Sequence, residues 1–140
     1  MSSRSIPPVS ARVVAHALLV SIAREAITLE EALARHPLPQ EPKERAFAQH
    51  LVLTTLRHYG QLAAVVAPYL QTPLPAKRCA VTEALHLGAA QLLLLKTPPH
   101  AAVNETVALI KRGKDAGFVK LVNAVLHRIA RDQPALASPT

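Results

Sequence analysis

The twelve prolines of this 140-residue chain fall mostly between its apolar runs, and that placement constrains the fold more than any other feature of the sequence. Proline lacks the amide hydrogen that a helix interior needs and crowds the preceding turn, so it collects at helix boundaries. The apolar runs between the prolines then read as helices. Half of the residues are hydrophobic, but aromatics make up only 3% and tryptophan is absent. The core must therefore be built from Leu, Val, Ile and Ala, which suit interlocked helices. With only four glycines besides, the fold class read from composition is all-α. A chain of this length buries roughly 70% of its extended surface, and one core is the default.

The local signals divide the chain into about seven helices. The first begins near Ser10, a capping residue, with Val14, Leu18 and Ile22 on one face. "TLEE", Thr28 to Glu31, is a capping box that opens a short second helix ending at His36-Pro37. Pro42 suits the first turn of a third helix reaching about His58, with Phe47, Leu51 and Leu56 inward. Gly60 is expected to break or bend the chain before a fourth helix over residues 61–70, which Pro68 kinks or shortens. Pro75 is expected to open the longest helix, to about Leu95, and its "LLLL" end, apolar on every side, places it at the centre of the fold. "TPPHAAVNETVALIKR" forms the sixth, with Val103, Val107 and Ile110 inward, "GKDAG" is a basic turn, and the seventh runs from about Phe118 to Arg131. Residues 1–9 are expected to be a flexible N-terminus, 10–131 one helical domain, and 132–140 a tail or linker.

Several kinds of chemistry find no support in these residues. The longest apolar run, Leu87 to Leu95, is interrupted by Gln91 and is far short of the ~20 residues of a membrane span. The N-terminal stretch is broken by Arg12 and His16 and shows no convincing cleavage site, so the chain reads as folded and cytoplasmic. A lone cysteine, Cys79, offers neither a disulfide nor a thiolate metal set, and the seven histidines have no metal-like spacing. The glycine patterns of nucleotide-binding loops and of the serine nucleophile elbow are missing. No catalytic residue, metal ligand or cofactor site is assigned. Glu105 has no partner acid or nucleophile nearby, and its ordinary role is to satisfy a helix start.

Charge is the remaining signal. The formal net charge of +7 is uneven: residues 1–70 hold seven Lys/Arg against five acids, and residues 71–140 hold nine against four. Lys111, Arg112 and Lys114 cluster at the end of the sixth helix, while Lys120, His127 and Arg131 lie along one outer strip of the seventh. Arg4 and Arg12 extend such a surface if the first helix packs alongside. Charge alone fits two readings, a solvated face with cations favourable at a helix C-terminus, or a phosphate-binding surface.

"ERAFAQHLVLTTLRHYGQL", "LHLGAAQLLLLKTPPHAA", "PPHAAVNETV" and "FVKLVNAVLHRI" occur in an order that resembles the NusB-like domain, in particular the form at the N-terminus of the RsmB (Sun or Fmu) ribosomal RNA cytosine-5 methyltransferases. "ARVVAHALLVSI" fits the first helix of that domain, and the resemblance spans residues 10–131. It implies a compact fold of about seven helices in two packed bundles. It also implies that His100, Asn104, Glu105 and Asn123 are structural residues of the helical domain and that Arg45 and Arg57 brace the helical junction. Antitermination factors of the NusB type bind RNA through a basic first helix and pair with a small-subunit ribosomal protein; here only Arg4, Arg12 and Arg24 represent that helix. The methyltransferases carry their S-adenosylmethionine loop and working cysteines in a later domain. The implied partners are RNA, 16S rRNA first, with a ribosomal protein or a methyltransferase domain, and no membrane. These residues are then either the recognition module of a methyltransferase or a free-standing antitermination factor. A helical adaptor that touches only protein is the third reading.

Overall fold

The computed structural model describes residues 10–137, so the expected flexible N-terminus, including Arg4, and residues 138–140 lie outside the described residues. Seven α-helices follow one another: α1 (Ala11–Glu25), α2 (Leu29–Arg35), α3 (Pro42–Arg57), α4 (Tyr59–Val66), α5 (Cys79–Leu93), α6 (Pro99–Lys111) and α7 (Val119–Asp132). Short 3-10 turns at Ala67–Tyr69, Ala76–Arg78 and Ala116–Phe118 join some of them, and there are no strands among the described residues.

Local chemistry sets most helix starts. The Ser10 hydroxyl accepts from the Arg12 amide at 3.2 Å. Thr28 and Glu31 form the reciprocal capping box, each side chain taking the other residue's amide, at 3.1 and 3.0 Å. Pro42 and Pro99 each occupy the first helical position, where no amide hydrogen is required.

Two apolar clusters form the interior. The first holds Val14, Leu18 and Leu19 of α1, Ala32 of α2 and Leu51 and Val52 of α3. The second holds the inner faces of α4, α5, α6 and α7, including Leu62, Leu85, Val103, Leu126 and Ile129. α5 belongs to both: Leu87 packs into the first cluster, and its Val81, Leu85 and Leu92 into the second. Twelve of its fifteen residues are buried, as expected of a helix at the centre of two bundles. Gly88 lets α7 approach closely, since a Cβ there would stand 2.6 Å from Leu126 Cδ1.

A polar link bridges the seam between the bundles. Gln91 of α5 is fully buried; its Oε1 accepts from Arg12 Nε at 2.7 Å, and its Nε2 donates to the Leu87 carbonyl at 3.1 Å and to Thr106 Oγ1 at 3.0 Å. One amide thereby joins α1, α5 and α6 with both ends satisfied, which a buried amide requires.

Two details differ from expectation. Gly60 does not break the chain but sits inside α4; the joint with α3 is His58, whose φ of −111° and ψ of 23° are neither helical nor extended. Pro68 shortens α4, as expected, ending it in the 3-10 turn at Ala67–Tyr69. The longest helix is α3, at sixteen residues, because the turn Ala76–Arg78 takes the first residues expected of α5. Beyond α7, Leu136 packs back on the second cluster and the Gln61 side chain donates to the Ala137 carbonyl, so this part of the expected tail lies against α4.

Candidate nucleic-acid interface

The candidate site is the turn from α6 to α7. Val103, Val107 and Ile110 hold α6 against the core, which leaves Lys111 exposed on its last turn. Arg112 leaves the helix in extended conformation, and Gly113 takes a φ of 107°, a left-handed value that glycine adopts without steric cost. Lys114 follows, exposed. Asp115 then turns inward, only 6% exposed, and its Oδ1 accepts from Arg78 Nη1 at 2.8 Å. The Arg78 guanidinium lies over the Phe118 ring, 5.2 Å from its centroid. The turn is therefore pinned from beneath by an ion pair reaching it from the start of α5, and its one acid is spent internally.

Lys120 completes the group, exposed in the first turn of α7. Lys111, Arg112, Lys114 and Lys120 thus stand within ten residues around a fixed turn, and none has an acidic partner among the described residues. The helix dipole accounts for Lys111 at a C-terminus but not for Lys120, since the N-terminal end of a helix disfavours a cation. No side chain caps α7 either, so the positive end of its dipole faces the same turn. The arrangement raises positive potential locally, and what it can do chemically is hold an anion or a polyanion.

The other residues read from the sequence fall elsewhere. Arg12 is not free on the surface: it is partly buried, its Nε is held by Gln91, and its guanidinium lies over the Phe47 ring at 5.1 Å. Burial lowers its pKa, and the charges of Glu105 and Glu44 oppose that. Arg131 sits at the far end of α7, about 16 Å along the helix from Lys120 at 1.5 Å per residue, and its Nε donates to Asp132 at 2.8 Å. His127 is exposed on the same helix. Sequence spacing had put Lys120, His127 and Arg131 along one strip; the structure places Arg131 at the opposite end of α7 from Lys120.

The motif residues are also placed individually. Asn104 Nδ2 donates to His100 Nε2 at 3.1 Å, both side chains being exposed. Glu105 is the seventh residue of α6, beyond the reach of the free amides, so it does not serve the helix start as expected; its charge faces Arg12 instead. Asn123 is exposed on α7, and Arg57 on the last turn of α3. Arg45 Nη1 reaches the Pro39 carbonyl at 3.5 Å, from α3 to the loop before it.

Sequence reasoning missed the Arg78–Asp115 pair and a buried polar cluster at the start of α5. There Glu83, 1% exposed, accepts from the Tyr59 hydroxyl at Oε2, and His86 Nδ1 stands 3.3 Å from Oε1. Burial first, and the bond to Glu83 second, push the Tyr59 hydroxyl far above the usual tyrosine range. The signal available was an acid inside an otherwise apolar helical run, "AVTEALHLG". Among the described residues no group of three or more His, Cys, Asp or Glu is placed to hold a metal ion, and no helix is long and apolar enough to cross a membrane.

Comparison with known proteins agrees with this architecture. The model of the NusB family matches residues 9–131. The ribosomal RNA small subunit methyltransferase B of Sodalis glossinidius is 33% identical over 125 residues, covering 89% of this chain and 29% of that protein. The protein of the same name from Xanthomonas campestris is 31% identical over 134 residues, covering 92% of this chain and 30% of that protein. The chain thus spans about three tenths of the length of these curated relatives. Among solved structures, that of antitermination factors NusB and NusE in complex with dsRNA superposes with a TM-score of 0.74 at 25% identity, over 87% of this chain and 94% of that one. T. maritima NusB superposes at 0.71 and 22% identity, over 89% and 93% of the two chains, a likeness of fold.

Proposed function

The chain belongs to the NusB family, and from that premise we propose that it is a non-catalytic RNA-binding domain that helps an RsmB-type 16S rRNA cytosine-5 methyltransferase engage its substrate. The observation that carries this is the turn between α6 and α7: exposed Lys111, Arg112, Lys114 and Lys120 without acidic partners among the described residues, around the uncapped N-terminus of α7. Cations so placed contact phosphates, and phosphate contacts position a protein on RNA without reading sequence. The likeness to the methyltransferases of Sodalis and Xanthomonas supports the choice of ribosomal RNA. Methyl transfer is assigned to no residue of this chain, and neither is S-adenosylmethionine binding. The same function places the protein in the cytoplasm.

The test is binding to a 16S rRNA fragment by the parent and by a variant with Lys111, Arg112 and Lys114 all changed to Glu. Affinity should fall as salt rises, and the variant should bind at least about tenfold more weakly. Equal binding by variant and parent would overturn the site.

A second function is favoured by a specific observation, the 94% coverage of the NusB chain in the NusB–NusE–dsRNA structure. It is that of an antitermination factor acting on leader RNA with a ribosomal-protein partner. A preference for leader RNA that strengthens when that ribosomal protein is added would support it, and indifference to both would count against it.

A further inference from the structure

α7 is used on more than one side. Val122, Leu126 and Ile129 are buried in the second cluster, whereas Leu121, Ala124, Val125 and Arg128, spaced three and four residues apart, line a groove of about 510 Å³. The irregular segment of residues 70–75 lines it too, through Leu70 and Leu74 among others, as does Phe118. Leu70, Leu74, Phe118 and Leu121 are each only partly buried against the second cluster, and Ala124 is exposed. Scattered surface hydrophobics are ordinary, but several gathered around one concavity mark a contact for another molecule.

The charges around the groove have one sign. No acidic residue occurs between Tyr69 and Thr82 or between Ala116 and Arg131, the stretches that supply its lining. Arg128 lines the groove, exposed Lys120 stands one turn before Ala124, and exposed Lys77 follows Pro75 by two residues. None of the three makes an ion pair among the described residues. The next acid, Asp132, is engaged: it accepts from Arg131 Nε at 2.8 Å and from the Tyr69 hydroxyl at 2.9 Å. An apolar floor inside a basic rim complements apolar anchors in an acidic frame. A phosphate backbone would use the rim and leave the floor in water.

The walls also favour a helix over a strand. Pro73 and Pro75 have no amide hydrogen to offer an added strand, while the small side chain of Ala124 lets another helix approach α7. We propose that this groove docks an acidic amphipathic helix of a partner protein. Its aliphatic side chains rest on Leu70, Leu74, Phe118 and Leu121, and its carboxylates face Arg128, Lys120 and Lys77. The inference goes beyond the RNA-binding function and shares only Lys120 with the basic turn.

The experiment measures binding of the chain to a synthetic helical peptide with leucines on one face and glutamates on the others. The control is a peptide of the same composition whose leucines are spread around the helix. The patterned peptide should bind at least about tenfold more tightly than the control, and Arg128→Glu should weaken it about tenfold. Ala124→Arg fills the middle of the groove while adding a cation, and it should weaken the patterned peptide as well. Both positions are exposed on α7, and thermal midpoints of the two variants check the fold. Equal or absent binding of the two peptides, or tighter binding by Ala124→Arg, would reduce the groove to attraction by charge and overturn the inference. Loss of 16S rRNA fragment binding in Ala124→Arg to the same extent as peptide binding would make the groove an RNA surface and overturn it too.

Discussion

Asp115 shows how one carboxylate shapes a basic surface. Because it is buried against Arg78, it removes the only negative charge from the turn and fixes where Lys114 and Lys120 stand. Asp115→Ala leaves the Arg78 guanidinium, 29% exposed, without its partner. Loss of such a charged hydrogen bond costs about 1–3 kcal/mol, and a lowered urea midpoint would measure it. His16 gives a pH-dependent counterpart. Its Nε2 donates to the Ala80 carbonyl at 2.8 Å, and burial holds its pKa below the ordinary 6.5, against the bond to Ala80 and the charges of Glu83 and Asp115. The unfolded chain therefore binds the proton more readily, so this residue's contribution is present above the unfolded value of 6.5 and is lost as pH falls below it. His16→Gln should flatten the acid side of the stability profile, as read from urea midpoints across that range. An unchanged slope would remove His16 from the account.

The helices separate two glycines that look alike in sequence. Gly60 lies in α4 with nothing within 4 Å of where a Cβ would be, so Gly60→Ala should stabilise the fold by roughly 0.5–1 kcal/mol, the helix-propensity difference. At Gly88 the same change meets the fully buried Leu126, and overpacking of about 1–3 kcal/mol exceeds that gain. Thermal midpoints of the two variants should move in opposite directions. That contrast marks how far the sequence was legible. Ser10, Thr28 with Glu31, and Pro42 could be read because a helix start is fixed by residues three or four positions apart. The inner face of α6 was legible from apolar spacing for the same reason. The state of Gly60 was not, because it depends on where the α3–α4 joint falls. The partners of Arg12 and Asp115 were not either, being 79 and 37 residues away. Of the candidate site, the cluster Lys111, Arg112 and Lys114 was visible as charge. Its support by Arg78, and the withdrawal of Arg12 into the seam between the bundles, are tertiary facts.

Across the whole molecule, charge and rigidity are arranged together. α5 is shared by both bundles, Gln91 joins three helices at their seam, and the Arg78–Asp115 pair extends that frame to the turn where the free cations stand. The surface is thus held in place before any ligand arrives, and such preorganisation lowers the ordering cost of binding. The most direct measurement is the salt dependence of affinity for a 16S rRNA fragment, compared between the parent and the variant with Lys111, Arg112 and Lys114 changed to Gln. Four phosphate contacts predict that log affinity falls against log salt with a slope of about −3 to −4, and the one remaining contact predicts about −1. Parallel lines with equal slopes for the two proteins would contradict the assignment of RNA binding to this turn.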